Sequence, residues 1–166
     1  MVLFDPLPLL SDMVSGVRIR WELPRALGRW ESRAPSSYRI HVKGAFPMVC
    51  FVDGELTVRD GRLVGARMRA NSLVPDSPLQ DVGPSDWQRP GCSYEGLTVE
   101  RMFERVAANL EEAGVFGVPV IVQFDEEWGF IAEYRFGRSS VGGILGPTVS
   151  ECCTWFEFDN LSALAP

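Results

Sequence analysis

This chain is short of the residues that most chemistry requires. It has one histidine, His41, and one lysine, Lys43, among 16 cationic residues. A lone histidine excludes every multi-histidine metal site and leaves a single candidate base for a nucleophilic triad. The formal net charge is -6 and the pI is about 4.8, which argues against nucleic acid or an anionic membrane as the main partner. No apolar run approaches the roughly 20 residues of a membrane-spanning helix. The four cysteines, Cys50, Cys92, Cys152 and Cys153, contain no Cys-x-x-Cys spacing, which removes the usual zinc patterns. The glycine run Gly142-Gly143-Ile144-Leu145-Gly146 lacks the Lys-Ser/Thr of a phosphate loop. No metal or cofactor is expected.

The strongest positive signal is the stretch from Thr98 to Phe136. Val99, Met102, Phe103, Val106 and Leu110 recur at i, i+3, i+4, i+7 spacing, with Glu and Arg on the opposite side, which predicts an amphipathic helix. The Thr98 hydroxyl suits its N-terminus and Gly114 its end. Val118 to Phe124 and Gly129 to Phe136 read as two strands joined by a turn at Asp125-Glu126-Glu127. In the second strand, alternation places Phe130, Ala132, Tyr134 and Phe136 on one face and Ile131, Glu133 and Arg135 on the other.

Upstream, residues 1–16 read as an extended N-terminal arm, because Pro6 and Pro8 interrupt its apolar run. Residues 17–166 read as a single domain. A short helix is expected from Pro24 to Arg33, ended by Pro35. Tyr38, Ile40 and Val42 alternate with Arg39, His41 and Lys43, as in a strand with one buried face, which leaves His41 on the polar side. Phe46 to Val52 reads as a central strand. Asp53-Gly54 and Asp60-Gly61 read as two hairpin turns flanking Glu55 to Arg59, and Arg62 to Arg69 continues the sheet. Asn71 to Tyr94, with Pro75, Pro78, Pro84 and Pro90, reads as a long loop pinned by Trp87, and Thr148 to Phe158 as the last strand. The fold class is therefore α+β: an antiparallel β-meander sheet, one main amphipathic helix on a face, and a short N-terminal helix.

The order of these elements resembles a bacterial domain-of-unknown-function family, numbered six-one-seven-four. The similar features are Trp30 ahead of Tyr38-Arg39-Ile40-His41-Val42, then Val49-Cys50-Phe51, then the Thr57 to Val64 strand–Asp-Gly–strand. Thr98 to Phe103 opening the helix and the hairpin from Phe124 to Ile131 complete the resemblance, which spans about residues 26 to 160. The chain departs from the family where Ile131 replaces a usual proline and Cys50 stands where a pair is common. The resemblance implies a small exported protein, often lipid-anchored, and supplies no activity. The start of the chain shows no basic n-region, which predicts either a cytoplasmic protein or one whose export signal has been removed. In an exported protein Cys50 or Cys92 is expected to be bridged, to each other or to Cys152 or Cys153.

Two functional expectations follow. One is a non-catalytic interaction or accessory subunit that docks on a larger protein assembly, with Phe4, Leu7, Leu9, Leu10 and Trp87 as partner-binding residues. The other is a small-molecule-binding protein or hydrolase with a pocket between sheet and helix, using Asp125, Glu127 or His41. No paired nucleophile and base is legible, so an enzyme is the less favoured reading.

Overall fold

The computed structural model describes residues 7–46, 50–70, 74, 77–89, 92–113, 120–137 and 154–164. It opens with α1 (Leu7–Arg33), followed by β1 (Ser37–Phe46), β2 (Cys50–Arg59) and β3 (Arg62–Arg69). Three short strands come next, β4 (Leu79–Val82), β5 (Gln88–Arg89) and β6 (Cys92–Ser93). Helix α2 (Val99–Ala113) precedes β7 (Val120–Phe124), β8 (Ile131–Phe136) and β9 (Thr154–Ala163). Seven strands form one antiparallel sheet in the order β4-β3-β2-β1-β9-β8-β7, and β5 pairs with β6 separately. The fold is α+β, with an antiparallel meander and the main helix packed on one face.

Helix α2 forms where the apolar spacing placed it. Thr98 Oγ1 accepts from Arg101 N at 3.4 Å, which satisfies one of the donors a helix start leaves open. Met102, Phe103, Val106 and Leu110 are buried against the inner face of the sheet, together with Val122, Phe130, Tyr134 and Phe156. Phe103 stacks on Phe124 with centroids 6.4 Å apart. The Arg105 guanidinium lies over Phe46 and Phe156, at 5.6 and 5.7 Å. Burial there lowers its pKa below the ordinary arginine value.

The N-terminal region corrects two expectations. The segment read as an extended arm is helical from Leu7, and the short helix expected at Pro24 is the second half of the same α1. Pro8 falls in the first turn, where a missing N–H costs nothing, and leucine is a strong helix former. Pro24 sits inside the helix and opens one of its hydrogen bonds without ending it. Helix α1 therefore runs across the expected boundary between residues 16 and 17. Ile19, Ala26 and Trp30 face the core, and Trp30 packs edge-on against Tyr38 at 5.3 Å. Arg20 Nη2 donates to the Leu110 carbonyl, tying α1 to the last turns of α2.

In the meander, Tyr38, Ile40 and Val42 are buried as the alternation requires, and Asp60-Gly61 is a turn with φ of 49° and 71°. Asp53-Gly54 is not a turn. Strand β2 runs straight through it, and the expected strand from Phe46 to Val52 divides into the end of β1 and the start of β2. Gly54 lacks a Cβ for a different reason: one built there would lie 2.1 Å from the Arg67 carbonyl oxygen of β3. Gly44 is in the same position against β9, 2.2 Å from the Trp155 carbonyl oxygen. The two glycines let β1 and β2 approach their neighbours β9 and β3 closely. The β7–β8 pairing shifts register between Gln123 and Phe124, which brings Ile131 and Tyr134 both to the buried side. Simple alternation had put Ile131 on the other face.

The expected loop from Asn71 to Tyr94 carries β4, β5 and β6. The half-buried Trp87 packs against the core and donates Nε1–H to the Val82 carbonyl at 2.8 Å, so its ring pins the segment. Cys50 and Cys92 form a disulfide, with Cα atoms 5.6 Å apart, that ties this segment to β2. Gly114, Cys152 and Cys153 lie outside the described residues.

Phe156 is fully buried beneath Tyr134 and Phe46. Phe156→Ala is expected to cost about 3–5 kcal/mol in denaturant melts. A second expectation concerns alkaline pH. Burial pushes the Tyr134 phenol up from 10.0 to about 12, against the opposing pull of Arg105. Between those values the folded state keeps a proton that the unfolded chain releases, so this contribution is full below pH 10.0 and is lost as pH rises toward about 12. Melts across that window should show falling stability, with a shallower fall in Tyr134→Phe.

Candidate functional site

The outer face of the sheet is charged where the inner face is apolar. Cross-strand register sets His41 opposite Glu55 on one side and Asp159 on the other, while Lys43 is opposite Asp53. A bulge between Arg39 and His41 on the β9 side, with Asn160 at φ 52°, holds Asp159 toward the imidazole. His41 Nε2 is 2.9 Å from Asp53 Oδ1, and Nδ1 is 3.0 Å from Asp159 Oδ1. Arg69 Nε lies 3.1 Å from Asp53 Oδ2 as an ion pair, without the alignment of a hydrogen bond. Arg67 continues the row between Glu55 at 3.5 Å and Asp81 at 3.6 Å. A shallow cavity of about 400 Å³ opens here, between His41, Asp159, Arg39 and Ser162.

The expectation that His41 is a plain surface residue is therefore corrected: it is half-buried between two carboxylates. The cluster links β9, β1, β2 and β3 through Asp159, His41, Asp53 and Arg69. Asp125 is equally committed. Its Oδ1 accepts from Glu127 N at 3.0 Å and Trp128 N at 2.6 Å, closing the hairpin turn. His41, Asp125 and Glu127 are not brought together, and the sheet–helix interface is filled by Tyr38, Tyr134, Phe156, Met102 and Val106.

A second concavity, of about 530 Å³, lies between α1 and β7. Among the described residues, strand β7 is an edge of the sheet, paired on one side only, by β8. Its sequence, Val-Ile-Val-Gln-Phe, has no charge and no proline, and Ile121 is 48% exposed. The other edge, β4, carries the exposed Asp81 between Pro78 and Pro84, the usual protection against unwanted pairing. Facing β7 across the groove are Arg18, Arg25 and Arg29 of α1. Arg18 pairs with Glu22 at 3.1 Å. Arg25 and Arg29 have no hydrogen bond or ion pair among the described residues, and the Arg29 Nε is buried. Gly129, at φ 85°, allows the hairpin to close on the helix: a Cβ there would meet the Ala26 carbonyl oxygen at 2.5 Å.

Of the expected partner-binding residues, Phe4 lies outside the described residues, and Leu7, Leu9 and Leu10 are in the first turns of α1. The groove was missed in the sequence. Its signal was the uncharged run Val120 to Phe124, which the open edge turns from an ordinary strand into an unprotected one.

The ionic cluster makes an ordered stability prediction. Asp53 is buried, contacts His41 and forms an ion pair with Arg69, whereas the Asp159 side chain is 64% exposed. Asp53→Asn should cost about 1–3 kcal/mol, and Asp159→Asn less than about 1 kcal/mol, in urea melts near neutral pH. Equal losses would mean that the cluster is solvated throughout.

In comparisons with known proteins, no family model, no curated protein and no solved structure matches this chain.

Proposed function

We propose that this chain is a non-catalytic interaction module, an accessory subunit that docks a partner protein in the groove between α1 and β7. One observation carries the reading: among the described residues, β7 is an uncharged, apolar edge strand left open beside the unpaired Arg25 and Arg29. Edge strands that pair with nothing are ordinarily blunted by charge, proline or a bulge, because an unpaired row of N–H and C=O groups recruits another strand. Within the strands themselves, β4 carries the charged Asp81 and β7 carries no charge, which supports a strand kept available for a partner. The groove volume also lies within the range of built binding sites. The exposed Val17 and Trp21, one turn apart on α1, add apolar surface that a partner would cover. The alternative of a small-molecule enzyme has less support, since His41 has both ring nitrogens engaged by carboxylates.

The test is site-specific photo-crosslinking in the native cells. A photoreactive residue at Ile121 should yield a discrete adduct of higher mass. The same residue at Val64, equally exposed at 48% on β3, should not. Equal adducts at both positions, or none at Ile121, would overturn the reading.

A further inference from the structure

We infer that the occupant of the α1–β7 groove is an extended acidic polypeptide segment that adds to β7 as an eighth strand of the sheet. The inference rests on the docking reading above and names the chemistry of the partner. Three features define that chemistry. The first is the open backbone of β7. Five residues at about 3.4 Å each give a pairing edge of about 17 Å, long enough for main-chain hydrogen bonds to supply affinity. None of the backbone hydrogen bonds among the described residues, beyond the strand pairing itself, uses Val120 to Gln123.

The second feature is charge. With Arg18 held by Glu22, the groove presents Arg25 and Arg29 against one exposed carboxylate, Glu126. The net charge of the protein is -6, so this local excess of unpaired guanidinium runs against the sign of the whole molecule. Arg29 Nε is also a buried donor without an acceptor. A buried donor left unsatisfied is costly, and a carboxylate is its strongest acceptor.

The third feature is spacing. Arg25 and Arg29 are four residues apart on one helix face, a rise of about 6 Å. In an extended strand, side chains on one face repeat every two residues, about 6.8 Å. Acidic residues at alternate positions of an added strand therefore match the two arginines, while the side chains between them meet the exposed Ile121 side of β7. A second copy of this chain fits less well: its β7, Val-Ile-Val-Gln-Phe, brings no carboxylate to the arginines, and its β4 brings only Asp81 for the two of them.

Fluorescence polarisation with three labelled ten-residue peptides tests this on the full-length protein. The peptides are an alternating valine–glutamate sequence, its valine–lysine counterpart, and the glutamate sequence N-methylated at alternate amides. The glutamate peptide should bind at least tenfold more tightly than either of the others. Arg25→Glu/Arg29→Glu should reverse the charge preference. Ile121→Lys, checked for an unchanged melt, should weaken binding, and amide shifts should move in β7 and not in β4. Binding that ignores N-methylation, or that the double reversal leaves unchanged, would overturn the inference. So would concentration-dependent dimerisation lost in Ile121→Lys with no peptide bound, which would make a second copy the occupant. A partner adduct at Ile121 without glutamate-peptide binding overturns the acidic strand alone. Failure of both overturns the docking reading with it.

Discussion

The hydroxyl of Tyr38 holds the layers of this protein together. It sits on the buried face of β1, accepts the Val99 N–H at 3.1 Å and donates to Glu100 Oε2 at 2.9 Å. The first turn of a helix has no internal acceptors for its N–H groups, and here a strand supplies one. Trp30 packs edge-on against the same ring, so a single side chain fixes α1, β1 and α2 relative to one another. Burial and the neighbouring Glu100 carboxylate push its pKa well up, keeping the phenol neutral and able to donate. Once the start of α2 is pinned, Met102, Phe103, Val106 and Leu110 descend onto the sheet in order. Without the hydroxyl, a buried N–H at Val99 would lose its acceptor, at a cost of about 1–3 kcal/mol.

The sheet divides its labour between its faces and its edges. The inner face is filled by aromatic side chains and closed by α2. The outer face is stitched crosswise by Arg69, Asp53, His41 and Asp159, so the four central strands are held by side chains as well as by their ladders. That cluster uses up the only imidazole in the chain. What remains available for recognition is the periphery, and there the two edges differ. The β4 edge is guarded by Asp81 and two prolines, and the disulfide between Cys50 and Cys92 secures the segment that follows it. Among the described residues, the β7 edge carries no charge and pairs only with β8.

Much of this was legible in the residues. The 3.6-residue spacing of Val99 to Leu110 and the alternation of Tyr38 to Val42 each determine which side of an element is buried, and both held. Local signals failed where a long-range contact outweighed them. Asp53-Gly54 has the composition of a turn, but its glycine answers to the Arg67 carbonyl on a neighbouring strand, which no local window contains. Pro6 and Pro8 suggested an extended path, but Pro8 fell in the one turn of a helix that tolerates it. The His41 cluster joins residues 12 and 118 positions apart. The edge groove required knowing the strand order, which periodicity does not encode.

Gly44 and Gly54 have a consequence for how this fold can drift. Most core positions accept another apolar side chain of similar volume, so their identities can change over time while the shape persists. These two positions accept none, because the space a Cβ would fill is taken by the carbonyl oxygen of a neighbouring strand. A distant relative with the same fold could lose the tryptophans, the cysteines and the charged row, yet it would still need two glycines ten residues apart in paired strands. That pair, more than any of the longer motifs, is the fingerprint by which such a relative would be recognised.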